Sequence, residues 1–308
     1  MRVFRTLESI KAPKRGWAVA VGNFDGLHRG HRRIILRLRR EAGAAGLPIC
    51  LLTFAPHPEK IFSPDRILMI QTLDQRLREL KRMGLEAAVV LPFSRPFARM
   101  KADEFAASVL AGAMNARIVV VGADFRFGAK RRGDAAFLAD AGRLLGFRTV
   151  VVPPYVDGGK TVSSSRVRTS LASGDVEEAA RLLGRNYEIE GEIVSGAGRG
   201  RSLGFPTANL ESPNEILPPG VFATRLVRKG RVWNAVTNIG RRPTFGASEP
   251  TVETHVLDDS PDLYGAYVRL VFLARLREER KFRGPKALAA GIRADIAASR
   301  RVFRRFGL

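Results

Sequence analysis

The chain has 308 residues, a single cysteine, four histidines and a formal net charge of +22. At this length two domains are the natural expectation. No apolar run approaches the ~20 residues that span a bilayer, no signal-peptide core follows the N-terminal charges, and the lone Cys50 in LPICLLTF has no partner for an internal disulfide, so a cytoplasmic protein without a membrane partner is expected.

WAVAVG at 17–22 predicts a short buried strand, followed by a glycine-rich turn and a helix from about residue 28 to 42. PICLLTF at 48–54 predicts a second strand, and LDQRLRELKRMG a helix with Gly84 as its stop. AAVVLPF, ARIVVVGADF and FRTVVVPPY read as further strands, alternating with helices over KADEFAASVLAGAM and GDAAFLADAGRLLG. Continuous apolar strands between helices are the mark of a parallel sheet covered on both faces. VEEAARLLG predicts one more helix, and Gly184 is the expected joint, giving domains 1–184 and 185–308. Beyond it the pattern changes to short alternating strands in YEIEGEIV, VFATRLV, RVWNAVTNIG, TVETHVL and YVRLVFLARL, which suit an antiparallel barrel or sandwich. A single helix opening at Pro285 is expected to close the chain.

The charge does not single out a nucleic-acid surface. Residues 1–184 carry 31 Lys plus Arg against 17 Asp plus Glu, a net +14; residues 185–308 carry 21 against 13, a net +8. The densest cluster, HRRIILRLRR, interleaves its arginines with aliphatic residues, as a helix with one wet face does. A broadly positive field suits polyphosphate substrates.

GNFDGLHRGH at 22–31 holds His28 and His31, half of the chain's histidines. A strand ending at Gly22, a tight turn and a helix opening near His28 form an anion site of backbone N–H groups and the positive helix end. Both imidazoles are expected on one helical face, aimed at phosphate, and their loss is expected to leave the fold intact. A metal site is the competing reading of this pair, with no third ligand evident nearby. SSSRVR at 163–168 offers three hydroxyls and two arginines just before a helix, a further place to hold phosphate or simply a helix cap. GAGRGRSLGFPTANLE at 196–211 combines a glycine loop with Pro206, Thr207 and Asn209; on an extended segment Thr207 and Asn209 point to one side, as hard oxygen ligands for Mg²⁺. No Walker loop occurs in the chain.

AVGNFDGLHRGH resembles the H-x-G-H signature of nucleotidyltransferases. TFAPHPEKIF, VVVGADFRFGAKRRGD and VSSSRVRTSLASGDVEEAARLLGR resemble successive motifs of the bacterial bifunctional riboflavin kinase/FMN adenylyltransferase family, and GFPTAN and VETH resemble the flavokinase motifs of the same family. The resemblance covers essentially the whole chain. It implies a Rossmann-like nucleotidyltransferase domain and a C-terminal antiparallel β-barrel closed by a helix. Its substrates would be ATP, riboflavin and FMN, with Mg²⁺ and without nucleic acid. It implies ATP binding for adenylyl transfer by Gly22, Asn23, Phe24, Asp25, His28, His31, Asp124, Ser164 and Arg168. For the kinase it implies ATP binding by Gly198, Gly200, Arg201, Gly204, Pro206, Thr207 and Asn209, with Glu253 accepting the proton and Arg277, Glu279 and Phe282 meeting the flavin. Departures are small: Ser165 stands at a usual Thr, Asn186 at a usual Pro, Phe222 at a frequent Tyr and Leu27 at a common Val. Asp124 stands where some members carry Asn, which loosens its role in nucleotide binding. A single-activity nucleotidyltransferase with an inert barrel, and an arginine-rich nucleic-acid-binding protein, are the alternatives; a broken P-T-A-N motif and concentrated basic runs would mark them.

Overall fold

The computed structural model describes residues 1–195, 204–241, 250–259 and 261–307. Two compact units account for the chain, Met1–Leu68 with Thr72–Ser163, and Met69–Gln71 with Ser164–Leu308.

The first unit is built on six parallel strands: β1 (Arg2–Phe4), β2 (Trp17–Val21), β3 (Ile49–Phe54), β4 (Ala87–Leu91), β5 (Ala116–Gly122) and β8 (Arg148–Val152), in the order β1-β4-β3-β2-β5-β8. The two-residue strands β6 (Arg126–Phe127), β7 (Gly133–Asp134), β9 (Val156–Asp157) and β10 (Lys160–Thr161) form small ribbons apart from it. Alternate residues of each central strand enter different cores. Val19, Leu52, Val89 and Val119 pack on one side with Phe105 and Leu110; Ala20, Leu51 and Val120 pack on the other with Ile35, Leu38 and Leu80. Helices cover both faces: α1 (Arg29–Ala45), α2 (Pro58–Phe62), α3 (Leu73–Arg82), α4 (Ala102–Glu104), continued by wider turns to Ala113, and α5 (Ala135–Leu145). Their ends follow local chemistry. Thr72 and Gln75 make a reciprocal capping box at α3, and Gly46 and Gly146 close α1 and α5 in the left-handed conformation.

The second unit opens with α6 (Ser164–Ala172) and α7 (Val176–Leu183), which ends on left-handed Gly184. Both helices group by contact with the barrel, so the compact units divide about twenty residues before that glycine. The barrel closes through β11 (Glu188–Val194), β12 (Ala208–Glu211), β15 (Pro250–Val256), β14 (Arg231–Arg241), β13 (Gly220–Arg228) and β16 (Tyr267–Arg277). Phe222, Thr224 and Leu226 of β13 alternate with Val221 and Ala223, which pack in a separate cluster with Phe303 of the closing helix α8 (Pro285–Arg305). Three buried threonines, Thr224, Thr237 and Thr254, join their hydroxyls across β13, β14 and β15 at 2.7 and 3.0 Å, satisfying polar groups that would otherwise be costly to bury.

Candidate active sites

In the first unit β2 is flanked by β3 and β5, and successive strands depart to opposite sides of it. The crevice at its carboxyl end is therefore the place where an open α/β sheet binds ligands. The turn after β2 is tightly built. Phe24 and Leu27 take positive φ of 52° and 44°, beside Gly26 at 83°, and burial of both side chains holds this backbone in place. Asn23 is fixed from below: its carbonyl accepts from Thr53 Oγ1 at 3.0 Å and from Arg76 Nη1 at 2.8 Å, and its side-chain amide lies 2.9 Å from His57 Nε2. Arg76 reaches the turn from α3. Burial pushes its guanidinium below the usual range, opposed by the charge of buried Asp25.

His28 is the N-cap of α1 and only 6 % exposed. Its Nδ1 accepts the His31 N–H at 3.3 Å, so the proton of the neutral ring sits on Nε2. The two rings stack with centroids 3.7 Å apart, and Phe24 leans on His31 at 5.1 Å. Gly30 leaves the stack undisturbed, since a Cβ there would lie 3.0 Å from the His28 ring and crowd it. The pair shares one face, as its spacing predicts, and His28 also caps the helix, a structural share that the sequence reading did not give it. Asp124 lies past the end of the neighbouring β5, with its carboxylate over Gly122. The aromatic group Phe54, Phe93, Phe97 and Phe62 gathers beyond β3 and β4, with centroid spacings of 5.6–6.4 Å. The sequence reading missed this group, since its rings come from three separate segments, only Phe93 and Phe97 sharing one. It also missed Arg76, an apparent surface arginine of an amphipathic helix. Cys50 is a core residue whose thiol burial pushes up to about 12.

Ser164 and Arg168 lie in the second unit, and the helix begins at Ser164, so only Ser163 of SSSRVR precedes α6 and residues 164–168 form its first turns. Arg166 is tied to Glu178 of α7 at 2.7 Å.

In the barrel, β15 lies between β12 and β14. Glu253 stands opposite Asn209 on one side and Asn238 on the other. Directly opposed residues share a face, so a carboxylate and two amides form one row across three strands. Asn238 is the member that linear sequence could not supply, because only the register of β14 brings it there. Gly204, Pro206 and Thr207 lead into β12; Gly198, Gly200 and Arg201 lie outside the described residues. Two steps along β14, Gly240 underlies the Glu279 carboxylate, which a Cβ would overlap. Arg277 is engaged twice by Asp295 of α8, at 2.8 and 2.7 Å, and lies over the Phe282 ring, which itself packs on Gly291. Its guanidinium thus shapes the place of Phe282 and is already bonded to a carboxylate.

Comparison with known proteins identifies a family for each half of the chain. Residues 10–166 match the family model described as FAD synthetase and residues 183–303 the one described as riboflavin kinase. A bifunctional riboflavin kinase/FMN adenylyltransferase from Pseudomonas fluorescens is 36% identical, over 97% of each chain. One from Bacillus subtilis is 34% identical, over 96% of this chain and 95% of its own. A crystal structure from Streptococcus pneumoniae, described as a macrolide-efflux protein, is 32% identical with a TM-score of 0.89, covering 97% of this chain and 98% of that one. No helix among the described residues is long and apolar enough to cross a membrane. With an FAD synthetase match followed by a riboflavin kinase match, and relatives matched over nearly the whole length, the chain belongs to the bifunctional riboflavin kinase/FMN adenylyltransferase family.

Proposed function

We propose that the two reactions of this bifunctional enzyme use separate residue sets: the turn after β2 for adenylyl transfer, and the Asn209–Glu253–Asn238 row for phosphoryl transfer. The observation that carries the reading is the row itself, a single carboxylate flanked by amides beside the P-T-A-N segment. In the kinase step Glu253 accepts the proton of the riboflavin 5′-hydroxyl, whose oxygen takes the γ-phosphoryl of ATP, leaving ADP and FMN. The Thr207 hydroxyl and the Asn209 amide oxygen are hard neutral donors two residues apart next to a carboxylate, a set that fits Mg²⁺. When bound, the ion neutralises charge on the phosphate oxygens of ATP. Glu279 and Phe282 are assigned to the flavin.

In the adenylyl step a phosphate oxygen of FMN attacks the α-phosphorus of ATP, and pyrophosphate leaves. His28, with its proton on Nε2, and His31 donate to the polyphosphate, and Asn23 and the turn backbone hold the nucleotide. The aromatic group headed by Phe62, 59 % exposed, offers the flavin ring of FMN a stacking surface. Ser164 and Arg168, four residues apart on α6, remain proposed phosphate ligands. Only small molecules are needed as partners, in a cytoplasmic setting.

The test separates the activities within the full chain. Glu253→Gln keeps shape and loses the proton acceptor; FMN formation should fall ~10²–10⁴-fold while supplied FMN is still converted to FAD. Replacing His28 and His31 by alanine should do the reverse, lowering FAD formation by at least ~10²-fold and sparing FMN formation. A Glu253→Gln protein that phosphorylates riboflavin normally removes Glu253 from the mechanism.

A further inference from the structure

The P-T-A-N segment enters the barrel at a weak point of its own making. The β12–β15 ladder pairs Leu210 with Val252, Asn209 with Glu253 and Ala208 with Thr254, and there it stops. Proline has no N–H to donate, so main-chain pairing cannot continue through Pro206. Carried one residue further, the same register sets His255 beside Thr207. The His255 ring takes over where the main chain fails: its Nδ1 lies 2.8 Å from the Pro206 carbonyl oxygen. A carbonyl only accepts, so Nδ1 carries the hydrogen and donates it. The ring is fixed in turn. Phe205 meets it edge to face at 5.8 Å and 86°, and Arg293 of α8 lies over Phe205 at 6.0 Å.

We propose that His255 is a positioning residue of the phosphoryl-transfer site, acting through Pro206 to hold Thr207 in line with Asn209 and Glu253. The proposal rests on the assignment of Thr207 to ATP. His255 touches neither substrate nor metal in this role. It supplies one side-chain rung to a ladder that proline has interrupted, two residues from Glu253 and on the same strand face. Period-two spacing in VETH therefore has a mechanical meaning: one residue works on the hydroxyl and the next on that face holds the nucleotide segment.

The test compares His255→Asn with His255→Phe in the full-length protein. Asparagine places an amide N–H near the position of Nδ1; phenylalanine keeps a ring against Phe205 and has no donor. FMN formation is measured against ATP at saturating Mg²⁺ and riboflavin, and then against riboflavin at saturating ATP. Loss of one such bond should raise the KM for ATP in His255→Phe about tenfold, with the KM for riboflavin near that of the parent. His255→Asn should recover to within about twofold. Hydrogen exchange over residues 204–211 reports the same event without turnover, faster in the Phe variant and near normal in the Asn variant. FAD formation from FMN and the melting midpoint check that the chain is folded. A Phe variant with the parent KM for ATP and the parent exchange overturns the proposal. So do two variants impaired alike, which would show that the ring matters and the hydrogen bond does not. A parent protein that phosphorylates riboflavin while Thr207→Ala leaves the KM for ATP untouched would instead remove the assignment of Thr207 on which the proposal stands.

Discussion

His28 occupies a position that helices usually give to Ser, Thr, Asp or Asn. Its Nδ1 does what those side-chain oxygens do, and the same bond puts the ring proton on Nε2. Capping and proton placement are thus one interaction, and substitutions can separate them. Asparagine at 28 can cap α1 but brings no imidazole, so His28→Asn should keep the melting midpoint near that of the parent while FAD formation falls ~10²–10³-fold. Alanine loses both, and the lost cap of ~1 kcal/mol should lower the midpoint by about 2–4 °C as well. Scanning calorimetry beside an FAD assay reads the two effects separately; equal midpoints for the two variants would deny His28 its structural share.

At the scale of elements, cross-strand register decides which residues meet. Gly240 shows this on β14. A methyl group there would overlap the Glu279 carboxylate, the movable end of a side chain, while φ at this position is unexceptional. Gly240→Ala should therefore displace Glu279 at little cost in stability. If Glu279 serves the flavin, the KM for riboflavin rises and that for ATP holds, which steady-state kinetics on each substrate will show. The sequence makes some of this legible and hides the rest. Apolar runs such as WAVAV and ARIVVVG announce buried parallel strands because both faces are covered. Proline 285 marks the closing helix because proline fits a first helical turn. β1 is invisible, since three residues with charged Arg2 make no run, and its pairing with β4 is a matter of tertiary contact. Glu253 and Asn209 are legible through their motifs. Asn238, 15 residues before Glu253, joins them only once a strand order is known. Arg76 and the phenylalanine group are hidden for the same reason: their neighbours come from other segments.

At the scale of the molecule, each unit has its own core, and α7 belongs to the unit that holds the barrel. Val176, Ala179, Leu182 and Leu183 are buried on one face of α7, and Glu177 accepts the Arg275 N–H of β16. A fragment of residues 164–308 should accordingly phosphorylate riboflavin and melt above one of residues 185–308, which exposes the surface that α7 covers. Circular dichroism melts and an FMN assay on both fragments test this, and equal midpoints would make α7 a passive linker. The two sheets also differ in what they leave open to other chains. The barrel returns β16 to β11, so all of its strands are paired on both sides; the parallel sheet ends at β1 and at β8. Unpaired strand borders recruit strands from neighbouring molecules. β1 is short, but β8 runs for five residues and exposes Val151 by 44 %. Crowding or heating should therefore find its first foothold on the nucleotidyltransferase side, and a single Val151→Lys gatekeeper should slow turbidity on heating without touching either reaction.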